Sequence, residues 1–166
     1  KALQRRVQLE VEIGNILNSG TWSNTTQVIM DPAGTYYIKN NTFEGAAGLS
    51  QQIYLELSKQ GITHFNIEED KRKQAHDGFA SFAQYGKTNL VHVIGPHIYN
   101  NPMSMENRLL NDAYENAIKE VIKFCSQRTD TITFNMCVIS AGEFKEKSVS
   151  DIDMSLLTRK VLQHVF

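Results

Sequence analysis

The order of apolar and polar residues predicts strands that alternate with helices along the chain. Strand formers dominate four segments, which comprise residues 8–16, 27–30, 89–94 and 131–139. Apolar residues at helical spacing mark three further segments, residues 49–60, 106–126 and 153–166. Residues 62–89 show neither the helical nor the strand spacing of apolar residues, and the charged patch 68–73 within them is typical of a solvated surface. The alternation predicts an α/β protein built on a layered sheet.

Turns rich in small residues follow three of the predicted strands, at residues 31–34, 95–96 and 140–142. We expect these turns to converge, because ligands of open α/β sheets bind at the carboxyl ends of the strands. A small-residue loop, 43–48, opens the helix predicted at 49–60. Such loops offer backbone N–H groups beside the positive end of a helix, which suits phosphate or pyrophosphate. The sequence therefore predicts a phosphorylated small molecule as the ligand.

Several side chains near this site are predicted to be structural. The stretch before the loop is predicted to be a polar loop that holds Tyr36, Tyr37, Asn40 and Asn41. The two tyrosines are expected to pack against protein, as most single aromatic residues do. His92 lies in the middle of a strand and is expected to be a hydrogen-bonded core residue. Asp153 is expected to cap the last helix.

Composition narrows the class of protein. The length of 166 residues predicts one domain. The 17 Lys and Arg nearly balance the 18 Asp and Glu, which disfavours nucleic acid or a membrane surface as the partner. Its two cysteines form no C-x-x-C pair, so we expect a reducing, cytoplasmic compartment, with delivery into a host cell left open. The five histidines lack metal-ligand spacing, and neither a P-loop nor a G-x-G-x-x-G fingerprint occurs. We expect neither a metal nor a cofactor.

Five segments, in order along nearly the whole chain, resemble motifs of the macro domain family, whose members bind ADP-ribose and in many cases hydrolyse it from proteins. Gly14-Asn15-Ile16 resembles G-D-I, and residues 29–34 stand in the place of I-V-N-A-A-N. Residues 44–48 resemble G-G-V-x-G, residues 91–96 resemble V-I-H-x-V-G-P, and residues 140–144 resemble S-[AT]-G-I-[FY]. The resemblance implies a three-layer α/β/α sandwich with a mixed central sheet, formed by residues 1–166 as one domain. Family members usually continue with another strand beyond the position of Phe166, so we expect a cut chain, a disordered tail or one domain of a longer protein.

The resemblance also implies how ADP-ribose would be held. Asn15 would receive a hydrogen bond from the adenine 6-amino group, and Ile16 would line the adenine pocket. Residues 45–48 would hold the phosphates and distal ribose, residues 140–143 would close over the pyrophosphate, and Phe144 would pack against a ribose. The implied ligand-binding set is Asn15, Ile16, Ala33, Gly34, Asn41, Gly45, Ala46, Ala47, Gly48, Ser140, Ala141, Gly142, Glu143 and Phe144.

Two departures from the family pattern bear on catalysis. Gly34 replaces an asparagine that orients the distal ribose in hydrolytic relatives, and Ala47 replaces an aspartate that some relatives carry. Asn40 or Asn41, in a longer loop, is the candidate to replace the missing amide. Cleavage of an ADP-ribosyl bond needs a general base or acid, so we take Asp31 and Glu44 as candidate catalytic carboxylates. Their alternative roles are a turn cap for Asp31 and a solvated loop position for Glu44.

The sequence thus predicts a protein that binds ADP-ribose and removes it from modified proteins. ADP-ribose or an ADP-ribosylated protein is the expected partner, and no membrane partner is expected. Two alternatives stay open. One is a non-catalytic ADP-ribose reader, which the replacements at Gly34 and Ala47 favour. The other is a protein-interaction module that has lost nucleotide binding, because Glu44 would repel a pyrophosphate.

Overall fold

A mixed sheet of four strands forms the centre of this computed structural model, which describes residues 16–18, 25–98, 105–142, 144–145 and 147–165. The strands are β1 (Thr26–Asp31), β2 (Ala80–Tyr85), β3 (Thr88–Val93) and β4 (Ile132–Asn135). Their order across the sheet is β2-β3-β1-β4. β1 runs parallel to β3 and β4, whereas β2 runs antiparallel to β3. The carboxyl ends of β1, β3 and β4 therefore share one edge.

Helices cover both faces of the sheet. They are α1 (Thr35–Asn40), α2 (Gly48–Lys59), α3 (Glu69–Lys73), α4 (Met105–Ser126) and α5 (Asp151–Val165), and a short 3₁₀ helix spans Ile16–Asn18. α4 and α5 share one apolar cluster with the sheet, and α1 and α2 share another. Among the described residues, no helix is both long and apolar enough to cross a membrane.

The pleat of the strands divides the core into these two clusters. Val28 and Met30 of β1 pack in the cluster of α4 and α5, whereas Ile29 contacts the cluster of α1 and α2. In β3, Val91 faces the first cluster and Leu90 the second. Successive side chains of a strand point to opposite faces, so both faces must be covered when both are apolar. The three-layer α/β/α sandwich with a mixed central sheet is confirmed.

Most of the predicted elements are present. The strands predicted at 27–30 and 89–94 correspond to β1 and β3, and the helices predicted at 49–60, 106–126 and 153–166 correspond to α2, α4 and α5. The strand predicted at 8–16 lies outside the described residues except for Ile16, which begins the 3₁₀ helix instead. The charged patch at 68–73 forms α3, whose exposed Lys73 pairs with Glu69 at 2.6 Å.

One predicted loop is wrong, and one predicted strand is present but shorter than expected. The polar loop before residue 43 is the helix α1, which buries Ile38 and ends at Asn41, a residue in the left-handed conformation that asparagine tolerates. The strand predicted at 131–139 ends at Asn135. Beyond it the backbone turns to Tyr114 of α4, whose hydroxyl donates to the Cys137 carbonyl at 3.0 Å and accepts from the Ile139 N–H at 2.9 Å.

Candidate functional site

Three loops meet at the edge where the parallel strands end. The loop after β3 contacts the loop after β4, since Ser140 Oγ donates to the Pro96 carbonyl at 2.6 Å and the Ile98 N–H donates to the Phe144 carbonyl at 2.7 Å. The loop after β1 joins them, because a Cβ on Gly34 would lie 3.7 Å from Cζ of Phe144. The predicted convergence of these turns is confirmed.

Because Gly95 has no side chain, the loop after β3 approaches the loop after β4 closely. A Cβ at this position would lie 2.2 Å from Cγ2 of Ile139 and 2.3 Å from Oγ of Ser140, far inside normal contact distances. Ser140 itself is buried and has φ of 61°, a left-handed conformation that few residues other than glycine adopt. The loop that follows is therefore fixed against the end of β3.

The loop at 43–48 leads into α2 as expected. Gly45 and Gly48 have φ of 83° and 60°, which explains glycine at both positions. Ala47 is the extended N-cap of α2, where no side chain caps the helix and no acidic residue occupies the first turn. Ala46 is buried, while Gly45, Ala47 and Gly48 are exposed. This arrangement leaves the positive end of the helix open to solvent.

Tyr37 connects α1 to this loop. Its hydroxyl donates to the Gly45 carbonyl at 2.7 Å, and its half-buried ring lies against Gly34. The ring of Tyr36, which is 66% exposed, meets the Tyr37 ring edge-on with 5.5 Å between centroids. The prediction that Tyr37 packs against protein is confirmed, and the packing places its ring between two of the predicted ligand-binding glycines.

The asparagines of α1 have partners within the protein. Asn40 Nδ2 donates to the Tyr36 carbonyl at 2.8 Å. Asn41, which follows the last residue of α1, accepts the Phe65 N–H through Oδ1 at 2.9 Å, so its carbonyl oxygen already has a partner in the protein. The ligand-binding role of Asn41 stays a prediction that would use its other end, the amide nitrogen.

Asp31 lies in the core, with none of its surface exposed. Its Oδ1 accepts the Ser50 hydroxyl at 2.6 Å, and its Oδ2 accepts the Tyr54 hydroxyl at 2.7 Å and is 2.6 Å from His92 Nδ1. Burial, then the Asp31 charge, raises the pKa of Tyr54 well above its ordinary value. The carboxylate does not cap the turn at 31–34, and its catalytic role stays a prediction.

Tyr85 continues this hydrogen-bond chain. Its hydroxyl is 2.8 Å from His92 Nε2 and accepts the Asn66 N–H at 3.0 Å. A carboxylate only accepts hydrogen bonds, so His92 Nδ1 donates to Asp31, and the Tyr85 hydroxyl is able to donate to Nε2 while it accepts from Asn66. Burial raises the pKa of Tyr85. The expectation of a buried, hydrogen-bonded His92 is confirmed.

Of two further acidic residues, Glu44 is exposed on a loop, whereas Asp153 is hydrogen-bonded at the start of α5. Glu44 is exposed on the loop at 43–48, where its backbone N–H donates to Thr42 Oγ1 at 3.1 Å. Asp153 accepts from the Ser150 N–H and hydroxyl, and its own N–H donates to Ser150 Oγ at 3.1 Å. Ser150 is therefore the cap of α5, and Asp153 completes a reciprocal capping box.

The remaining members of the predicted ligand set are partly described. Ala33 is a buried residue of the loop after β1, and Ala141 and Gly142 follow Ser140. Ile16 is partly buried at the start of its 3₁₀ helix. Asn15 and Glu143 lie outside the described residues. Of the predicted set, Gly34 approaches Phe144 and is linked to Gly45 through Tyr37, and the ligand-binding role of these residues stays a prediction.

Two surface cavities lie away from this cleft. One, of about 320 Å³, is lined by α3, α4 and the start of β2, with Lys71 and Glu120 on its wall. The other, of about 380 Å³, lies beside Phe65 and Tyr85 near the turn between β2 and β3. Neither is lined by a residue of the predicted ligand set. Within the described ranges, no group of three metal-binding side chains comes together.

Sequence reasoning missed Ser50 and Tyr54 as partners of Asp31. Both lie on α2, four residues apart on the face that also buries Ile53 and Leu57. That spacing is the signal that could have found them, because polar residues on an apolar helix face require buried partners. The sequence predicts a loop at Tyr37 because α1, with six residues, is too short to show the apolar repeat of a longer helix.

No family model and no curated protein matches this chain. Among solved structures, a mutant macrodomain of Oceanobacillus iheyensis matches with a TM-score of 0.53 and 19% identity, over 85% of this chain and 71% of that one. A protein of unknown function from Bacteroides thetaiotaomicron has a TM-score of 0.48 and 18% identity, over 92% of this chain and 87% of that one. Alphavirus P23pro-zbd has a TM-score of 0.46 and 11% identity, over 84% of this chain and 22% of that one. The first of these matches shows that the chain has a macrodomain-like fold.

Proposed function

We propose that the protein binds ADP-ribose in the cleft where the loops after β1, β3 and β4 meet. The observation that carries the proposal is the junction at Gly34, where a Cβ would lie 3.0 Å from the Tyr37 ring and 3.7 Å from Phe144. Through the Tyr37 hydroxyl, the same junction is joined to Gly45. The small-residue loops of the macrodomain-like motifs thus form one edge, at which backbone N–H groups suit a pyrophosphate.

The proposed pose follows the family resemblance. The phosphates lie between the loop 45–48 and the loop that begins at Ser140, the terminal ribose lies toward Gly34, and the adenine lies toward Ile16. The open N-terminus of α2 adds favourable charge, whereas the exposed Glu44 adds an unfavourable one. Because Glu44 is exposed, its carboxylate is able to turn toward solvent when the phosphates bind.

We further propose that the protein removes ADP-ribose from modified proteins. Of the two candidate carboxylates, Glu44 is the one that solvent reaches, so it is able to activate a water molecule or donate a proton. Asp31 has three protein hydrogen-bond partners and no exposed surface. Its expected contribution to catalysis is to hold the first turn of α2 in place through Ser50.

A non-catalytic reader of ADP-ribose is the second candidate function. The absence of side-chain amide and carboxylate groups at Gly34 and Ala47 favours it, because neither residue offers a side chain that orients a ribose or a water. A reader would bind the ligand with the same loops. Turnover is therefore the measurement that separates the two candidates.

Calorimetric titration with ADP-ribose tests binding, with AMP as the comparison that lacks the second phosphate and terminal ribose. We expect a micromolar dissociation constant for ADP-ribose, about −8 kcal/mol. Gly142→Glu should weaken the binding of ADP-ribose, because a Cβ at Gly142 meets no described residue within 4 Å and the added carboxylate would face the phosphates. Gly142→Gln, of the same size without charge, is the control. An absence of heat and of thermal stabilisation at millimolar ADP-ribose would refute the proposal.

Catalysis is tested by release of ADP-ribose from an ADP-ribosylated protein. Glu44→Gln should reduce turnover by about 10²-fold or more while ADP-ribose still binds. Unchanged turnover in Glu44→Gln would exclude this carboxylate, and an absence of turnover in the unaltered protein together with tight binding would establish the reader.

A further inference from the structure

The ring of Tyr37 fills the gap between two loops of the proposed cleft. A Cβ on Gly34 would lie 3.0 and 3.2 Å from the Cδ2 and Cε2 edge of this ring, and a Cβ on Gly45 would lie 3.9 Å from Cε1 on its other edge. The two glycines therefore face the same ring from opposite sides. The hydroxyl closes the arrangement by donating to the Gly45 carbonyl.

We propose that Tyr37 is a specificity-determining residue that closes the Gly34 end of the cleft against the terminal ribose. In the closed form the cleft accepts a nucleoside diphosphate, and a sugar on the second phosphate enters only when the Tyr37 ring swings out. This inference rests on the proposed function, because it takes the phosphates to lie at the loop 45–48 with the terminal ribose toward Gly34.

The contacts of Tyr37 allow both a closed and an open position. Its ring is half-buried, and its hydrogen bond to Gly45 is exposed to water, which replaces such a bond at little cost. Gly45, at φ of 83°, lacks the side chain that would restrict the loop once that bond breaks. Tyr36 packs on the outer side of the ring and is itself largely exposed, so it does not lock the ring in place.

The closed position excludes the sugar for a steric reason. Gly34 ends the loop after β1 without a side chain, and the space that a side chain would occupy is already in contact with the Tyr37 ring. A ribose that approached Gly34 from the phosphates at Gly45 would need the volume of the ring itself. Removal of the ring therefore opens this end, whereas removal of the hydroxyl alone only loosens it.

The experiment compares dissociation constants for ADP and ADP-ribose by calorimetry in four proteins: the unaltered chain, Tyr37→Ala, Tyr37→Phe and Lys39→Ala. Lys39 is exposed on the same helix and serves as the matched control. We expect the unaltered protein to bind ADP at least as tightly as ADP-ribose. Tyr37→Ala should shift the ratio of the two constants toward ADP-ribose by about 10-fold or more, Tyr37→Phe by about threefold, and Lys39→Ala not at all.

The outcomes separate this inference from the function on which it rests. If both ligands bind and Tyr37→Ala leaves their ratio unchanged or shifts it toward ADP, the inference is overturned while nucleotide binding stands. If neither ligand binds any folded protein, the proposed function and the inference both fail. If Tyr37→Ala does not fold, the ratio in Tyr37→Phe decides in the same way, since this variant keeps the ring that packs against Gly34.

Discussion

Asp31 and His92 are direct register partners on the parallel strands β1 and β3, and their side chains meet in a 2.6 Å hydrogen bond with neither exposed to solvent. Ser50 and Tyr54 donate to the same carboxylate from α2. The interaction therefore ties two neighbouring strands to the helix that follows the proposed phosphate loop. A buried carboxylate persists only when such donors replace the water it has lost.

The first prediction concerns the stability that this carboxylate provides. Asp31→Ala would leave the Tyr54 hydroxyl and His92 Nδ1 without their acceptor in the core. We expect a loss of about 3–5 kcal/mol in the free energy of unfolding, the usual cost of removing one member of a buried polar pair. Urea or guanidinium denaturation at pH 7 measures it.

Glu44→Ala is the matched control for that experiment, because Glu44 is exposed and, among the described residues, no hydrogen bond involves its side chain. Its midpoint of denaturation should equal that of the unaltered protein. A loss below about 1 kcal/mol in Asp31→Ala would show that the hydrogen bonds to Asp31 do not stabilise the fold.

The second prediction is a loss of stability at alkaline pH. Burial raises the pKa of Tyr114 to about 12, and burial together with Asp31 raises the pKa of Tyr54. An unfolded tyrosine ionises near pH 10, so above that pH the unfolded chain releases protons that the folded chain retains. The stability is fully present below pH 10 and is lost as pH rises toward 12, with Tyr114 alone contributing up to about 3 kcal/mol.

Chemical denaturation at pH 8, 9, 10 and 11 measures how the free energy of unfolding falls with pH. The variant Tyr114→Phe shows how much of that fall comes from Tyr114. The variant should be less stable than the unaltered protein at pH 8 by about 1–3 kcal/mol, because the buried Ile139 N–H loses its acceptor. It should also lose less stability than the unaltered protein between pH 10 and 11. Equal slopes in the two proteins would contradict the raised pKa of Tyr114.

The third prediction compares two glycines of the converging loops. Gly95→Ala would force a methyl group to 2.2 Å from Ile139 and 2.3 Å from Ser140 Oγ, so the loop after β4 must move. We expect a loss of about 1–3 kcal/mol in stability, typical of overpacking, and weaker ADP-ribose binding. Gly142→Ala, where a Cβ has no atom within 4 Å in the described part of the chain, should retain both properties. Full affinity in a folded Gly95→Ala would separate the loop after β4 from the binding site.

The sequence predicted the elements whose pattern is long or strongly apolar. The apolar spacing in α4 and the run of strand formers in β3 identify both elements, since each buries a face along most of its length. The turn after β1 was also predicted, because Pro32 and Gly34 exclude a continuing strand. These patterns involve only residues close together in the chain, so a short segment of sequence is enough to predict each element.

Elements held by tertiary contacts could not be predicted in this way. α1 has only six residues, and its stability comes from burial of Ile38 and from the Asn41–Phe65 hydrogen bond across the chain. β2 shows no dominant apolar period, and its place is set by pairing with β3. At the candidate site, the sequence predicted which loops converge, but the burial of Asp31 depends on donors from α2 that no local pattern assigns to it.

The last prediction tests Asn41, whose two ends have different environments. Its Oδ1 holds the Phe65 N–H, and its left-handed backbone ends α1. Asn41→Gly keeps the backbone conformation but removes the acceptor, so we expect a loss of about 1 kcal/mol in stability.

Asn41→Asp keeps an acceptor for Phe65 and replaces the amide donor with charge. If the amide nitrogen binds the ligand, Asn41→Asp should remain stable while its affinity for ADP-ribose falls about 10-fold, as measured by calorimetry. An Asn41→Asp protein that binds ADP-ribose with unaltered affinity would exclude the amide nitrogen from ligand binding, and Asn41 would then serve only to end α1 and to hold the Phe65 N–H.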